Sequence, residues 1–395
     1  MKRKLAALFL LCLMLMLAPN LAAAEETGDA SQPAFTFQDA MQSMDLGALE
    51  DYKQKVDSEL GKYISDKSLS QWFLDFVKGD WDFDAESTGQ FLLKKFLGEI
   101  MANSSLLGKL ILLSVLAALL INLQNSFSGG VARISYWACY LALAVLALAS
   151  FRTVLQIGHQ TIDTMSDFML AMLPQMLVLT AGLGNVNASV MLFPILMSAA
   201  TAFAAAIKNI VFPLIIMSAV LSIVNHLSDS LKVEKMSKFF TQMAQISLAF
   251  FLTLFVGILT LRGLYASVLD KVTLRTTKFV TDNAIPVVGK IFSDTVEVAA
   301  GYVVMLKQAL GVFGVLMVLG IILLPLLKIA AIGLIYRVSA VLAEPLGDSK
   351  TATILESMSA HIFLMLAAVA AVGLMFLIMI AIMAGMANGF AMLRN

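Results

Sequence analysis

The chain has 395 residues, 59% of them hydrophobic and 14% charged, with a mean hydropathy of +0.87. A soluble domain carries about 45–50% apolar and about 25% charged residues, so an ordinary soluble globule is excluded. The formal net charge of +0 conceals an asymmetry, because residues 25–104 hold 16 Asp/Glu against 7 Lys/Arg and the remainder is basic. The reading is an all-α polytopic membrane protein with a small acidic domain in a different environment, since a chain crossing lipid must satisfy its backbone within helices or a closed barrel. No basic patch is interleaved with exposed aromatics, which argues against nucleic acid as a partner.

The start reads as a secretory signal peptide over residues 1–24. Lys2-Arg3-Lys4 is the positive region, Leu5 to Leu17 the apolar core, and Ala22-Ala23-Ala24 the small-residue cleavage site. The segment after it, 25–104, is then extracytoplasmic. Within it, Leu46–Ile64 and Leu69–Phe76 have helical spacing, with Trp72, Phe73 and Phe76 clustered, and Phe91–Ile100 reads as an amphipathic helix running toward the membrane. Asp80, Asp82, Asp84 and Glu86 mimic a calcium loop, but Ala85 stands where the sharp turn needs Gly and Phe91 where a bidentate Glu is required.

From Leu106 apolar runs dominate, and residues 105–395 form the membrane domain. Spans are predicted at 106–123, 134–151, 189–206, 209–225, 243–261, 309–327 and 363–387. Two ambiguous runs, 168–183 with Pro174 and 329–343 with Arg337, bring the total to about seven to nine segments. Lys232, Lys235 and Lys238 place the connection 226–242 inside by the positive-inside rule, whereas the charged connection 262–307 falls outside by count and disagrees with it.

Sliding the chain by 112 residues superposes Pro174 on Pro286 and Pro213 on Pro325, suggesting repeat halves at 165–261 and 277–387. Pro174, Pro213 and Pro325 are candidate hinge or broken-helix residues, because Pro-broken segments at corresponding positions mark binding regions in many transporters. In the polar stretch, Lys271, Arg275, Lys278 and Asp282 share one helical face, and after Pro286 so do Lys290, Asp294 and Glu297. These are the candidate pathway or interface residues, on two amphipathic helices that suit either the membrane surface or a wet vestibule. Lys208, Lys328 and Arg337 lie beside apolar runs, where snorkelling is the ordinary explanation. Ala381, Gly385 and Gly389 form a small-residue stripe for close helix packing. His159, His226 and His361 are far apart in sequence, and no H-E-x-x-H, G-x-S-x-G or P-loop occurs, so no catalytic residue, metal site or cofactor is predicted. With the leader gone, Cys139 is a lone thiol and no intramolecular disulfide can form.

Leu274–Asp294 (LRTTKFVTDNAIPVVGKIFSD), the run Leu106-Leu107-Gly108-Lys109-Leu110-Ile111-Leu112-Leu113, and Glu344-Pro345-Leu346-Gly347 resemble the stage III sporulation protein AE family, as does the layout of leader, acidic segment and polytopic region. The resemblance implies a non-enzymatic, multi-pass protein of the mother-cell membrane around the forespore, its acidic segment in the intermembrane space. It also implies a role in the channel, or feeding tube, joining mother cell and forespore, as the permease-like or export-gate-like member. Implied partners are other stage III sporulation membrane proteins, including an ATPase and ring-forming proteins. Three mechanisms follow as alternatives: a conduit lined by the charges at 271–297, an assembly platform that binds partners through them, or an independent secondary transporter, which needs paired ionisable groups at mid-span.

Overall fold

The computed structural model describes residues 44, 46–60, 67–79, 85–126, 130–182, 186–227, 232–284, 288–346 and 348–385, with the side chains of 262–284 and 288–300 among those outside the description. Every regular element described is helical. Two short helices, α1 (Gly47–Leu60) and α2 (Leu69–Lys78), form the acidic domain, and α3 (Ala85–Ala102) leads into α4 (Ser104–Ser126). The bundle continues with α5 (Gly130–Gly182), α6 (Val186–Ala206), a π segment (Ile207–Val211), α7 (Phe212–Leu227), α8 (Glu234–Ala284), α9 (Val288–Ala343) and, after a short 3₁₀ turn, α10 (Ser349–Gly385).

The acidic domain is set by its caps and aromatics. Ser68 Oγ accepts from Gln71 N–H at 3.4 Å and Glu50 Oε2 from Leu69 N–H at 2.7 Å, so a carboxylate meets the positive end of α2. Gly79, at φ 79°, closes the other end in the left-handed conformation and donates back to Asp75 and Phe76 carbonyls. The clustered aromatics of α2 are not its own private core. Trp72 and Phe73 lie 5.8 and 6.0 Å from Phe313 of α9, and Tyr52 of α1 lies 5.6 Å from Phe168 of α5. Phe168 and Phe313 close the cluster at 6.4 Å. A domain this small gains much of its buried area from such docking. The Tyr52 hydroxyl is held above its ordinary pKa of 10.0, by burial first and by the nearby Asp167 carboxylate second.

Six helices among the described residues are long and apolar enough to cross a membrane. The predicted runs 134–151 and 168–183 are one helix, α5. Likewise 309–327 and 329–343 are one helix, α9, and 189–206 joins 209–225 through the π segment. The reason lies at the prolines. Pro174 and Pro325 sit inside helices that run on through them, and Pro194 does the same in α6. Pro213 differs: it comes two residues after the π segment, where Phe212 N–H bonds Ile207 O, and the extra residue absorbs the missing donor. Pro286 lies outside the described residues.

Neighbouring contacts fix the directions. Gly314 meets Ile380 and Gly333 meets Ile362, so α9 and α10 are antiparallel. Gly158 meets Val369 and Gly373 meets Met165, so α5 and α10 are parallel. Ser218 and Ser222 pair with His361 and Ser357, making α7 antiparallel to α10. Six spans alternating up and down satisfy all of these. The core is α9 and α10: 67% and 56% of their spans are buried, against 22% for α4 and 17% for α8, whose outward faces are left for lipid. Asp348, fully buried, starts α10 by accepting from Thr351 N–H at 3.1 Å and from the Thr351 hydroxyl.

Candidate functional site

At about 1.5 Å per residue the 53 residues of α5 extend about 80 Å, well over twice the hydrocarbon core of a bilayer. Its outward face changes character along that length. Leu141, Val145 and Leu148 are exposed and apolar; then Arg152, Gln156, Gln160, Asp163 and Asp167 are exposed and polar; then Val178 is exposed and apolar again. Residues 152, 156, 160, 163 and 167 follow the i, i+4, i+7 helical spacing, so they form one stripe down one face. The inward face over the same stretch is apolar and buried, through Val154, Ile162, Met165 and Phe168.

The stripe acquires a cation from across the bundle. Lys208, in the π segment, pairs with Asp163; Lys208 retains 22% side-chain exposure and Asp163 56%. The extra residue of a π segment rotates the side chains around it, and such segments recur at functional sites. His159, one turn before Asp163, stacks edge-on against Phe212 with centroids 5.1 Å apart.

The depth of the stripe is set by its neighbours. Phe203 packs on Phe251 and Phe255, and Ser218 reaches Thr241, so Lys208 lies level with the stretch of α8 between those contacts. There α8 exposes Ile246, Phe250 and Leu254. At one level the bundle is therefore largely apolar on the α8 side, where Gln245 and Thr253 are also exposed, and polar and charged on the α5 side. Lipid can cover the first face; the second requires water or polar protein, because uncompensated charge in hydrocarbon costs several kcal/mol.

The residues singled out in the sequence fall elsewhere. Lys271, Arg275, Lys278 and Asp282 are on the C-terminal part of α8, and Lys290, Asp294 and Glu297 on the N-terminal part of α9. The side chains of these seven residues lie outside the described set. Of the small-residue stripe, Gly385 has no neighbour within 4 Å of a Cβ, Gly389 lies outside the described residues, and close approach is made instead by Ala384 against Gly311. Arg337 pairs with Glu356 at 2.6 Å, Lys328 is exposed, and Lys307, placed in a charged connection from the sequence, is 1% exposed.

The chain matches the family profile described as stage III sporulation protein AE over residues 67–387. It is 31% identical over 373 residues to the stage III sporulation protein AE of Bacillus subtilis (strain 168), covering 94% of this chain and 93% of that one. The chain belongs to the stage III sporulation protein AE family. The protein is therefore a sporulation-related membrane protein with several membrane-spanning helices. No solved structure matches it. The α5 stripe had a signal in the sequence, the spacing of residues 152–167, but that stretch fell between two predicted spans.

Proposed function

We propose that this protein is a non-enzymatic component of the channel joining mother cell and forespore, permease-like or export-gate-like, with the α5 stripe as a wetted wall. The single observation that carries the reading is the two-faced level of the bundle: Ile246, Phe250 and Leu254 on one side, and Gln156, Gln160, Asp163 and Asp167 on the other. A wall between lipid and an aqueous path has this character. The membrane around the forespore, with the acidic domain extracytoplasmic, is its proposed place. Other stage III sporulation membrane proteins, an ATPase and ring-forming proteins are its proposed partners, and the bilayer its solvent. The hairpins α7–α8 and α9–α10 are the proposed repeat: their first helices run the same way. Each is clamped by a serine on a carbonyl, Ser237 Oγ to Ser218 O and Ser359 Oγ to Gly333 O, both at 2.9 Å.

The charged sequence on the helical parts 271–284 and 288–297 favours a second reading, an assembly platform. Replacing Gln156, Gln160 and Asp167 together by leucine separates the two. With the stripe as a wall, complex assembly by co-purification persists while heat-resistant spores fall about a hundredfold or more, the scale of losing several kcal/mol of solvation along a path. Normal sporulation by the triple variant overturns the conduit reading; failure of co-purification transfers the stripe to the platform reading.

A further inference from the structure

At the end of the bundle opposite the acidic domain, α7, α8 and α10 meet around His361, which is 6% exposed. His361 Nδ1 lies 2.7 Å from Ser357 O, one turn earlier on α10, and a carbonyl can only accept. Nδ1 therefore carries a proton in either charge state, and Nε2 is the nitrogen that titrates. Nε2 is 2.8 Å from Ser218 Oγ on α7. That hydroxyl, itself fully buried, is also 2.8 Å from Ser237 O on α8 and in contact with the Thr241 hydroxyl. Ser237 Oγ is occupied in donating to Ser218 O at 2.9 Å, and Ser222 Oγ meets Ser357 Oγ at 2.5 Å.

We propose that His361 is a proton-binding site, and that its protonation switches the hydrogen bonds holding α7 to α8 and α10. When the ring is neutral, Ser218 donates to Nε2 and accepts from Thr241. When the ring is charged, Nε2–H donates to Ser218 Oγ, and the Ser218 proton turns to Ser237 O. The shell satisfies both states by one hydroxyl rotation.

The charge of the second state is met by hydroxyl and carbonyl dipoles alone. Around it, α10 offers Glu356, paired with Arg337 of α9. Lys238 of α8 pairs with Glu234, with Lys235 beside it, and Lys208 of the π segment pairs with Asp163 of α5. Further groups are His159 on α5, Lys328 on α9 and Lys109 on α4. Among the described residues none of these is bonded to the ring. Water entering between the helices solvates the imidazolium better than this junction does, so acidification loosens it. The ligand is a proton, and the consequence is an acid-opened joint between two helical hairpins.

The test uses the full chain in nanodiscs with its native cysteines replaced by serine. Ala219→Cys, adjacent to Ser218 and fully buried, reports opening through its reaction with a thiol reagent. Rates are referred to those of an exposed Met236→Cys, which corrects for thiolate formation. The corrected rate is expected to rise about tenfold from about pH 7.5 to about pH 5.5. It is expected to become flat in His361→Gln and to persist in His159→Gln. Should His361→Gln fail to fold, His361→Asn, a shorter neutral amide that cannot titrate, is expected to give the same flat profile. A flat profile in the parent chain, or an undiminished rise in either His361→Gln or His361→Asn, overturns the proposal.

Discussion

Phe313→Ala is expected to release the acidic domain from the bundle. The ring is fully buried and is the contact shared by Trp72, Phe73 and Phe168. Truncating a buried Phe costs about 3–5 kcal/mol through lost transfer energy and the cavity left behind. Here the cavity opens where α2 sits on α9. A docking equilibrium weakened by about 3 kcal/mol shifts by about two orders of magnitude. Limited proteolysis reads it directly: cleavage within residues 44–84 accelerates while the membrane domain stays intact, and Trp72 emission shifts to the red as its 1% exposure is lost. Unchanged cleavage and unchanged emission would show that the aromatic cluster does not hold the domain.

The second large effect is functional. Asp163→Lys sets two cations side by side at the π segment, and the exchange Asp163→Lys with Lys208→Asp restores the pair in reverse. The pair is substantially exposed, with Asp163 at 56% and Lys208 at 22%, so its worth to stability is at most about 1 kcal/mol. Loss of folding is therefore too small to explain a loss of function. If the stripe carries the path, Asp163→Lys lowers heat-resistant spore counts by about tenfold or more, and the exchange recovers most of the loss, because it replaces two facing cations by an opposite-charge pair. Normal spore counts in the single variant, or no recovery in the exchange, would remove Asp163 and Lys208 from the working surface.

The membrane class and the aromatic trio of α2 were legible in the sequence, because composition and short-range periodicity report burial directly. The continuity of α5 and α9 was not. Pro174 and Pro325 are read locally as breaks, yet a helix packed on both sides keeps its course through a proline when its neighbours hold it. The α5 stripe was passed over because residues 152–167 fall between two predicted spans, where exposed polar residues are what any connection carries. The Lys208–Asp163 pair and the Ser218–His361 contact join residues 45 and 143 positions apart, and pairing at that distance leaves no periodic trace in one sequence. The charges at 271–297 were conspicuous because they stand in a polar run.

The most direct measurement is thiol accessibility along α5. With Cys139 and the leader Cys12 replaced by serine, single cysteines are placed through 152–167 and labelled in intact membranes with an impermeant reagent. Labelling at 152, 156, 160, 163 and 167, with protection at 154, 158, 162 and 165, is the result expected of a wetted wall. Protection of all these positions, with labelling confined to the two ends of α5, would mean a dry flank and would contradict a water-filled path along this helix.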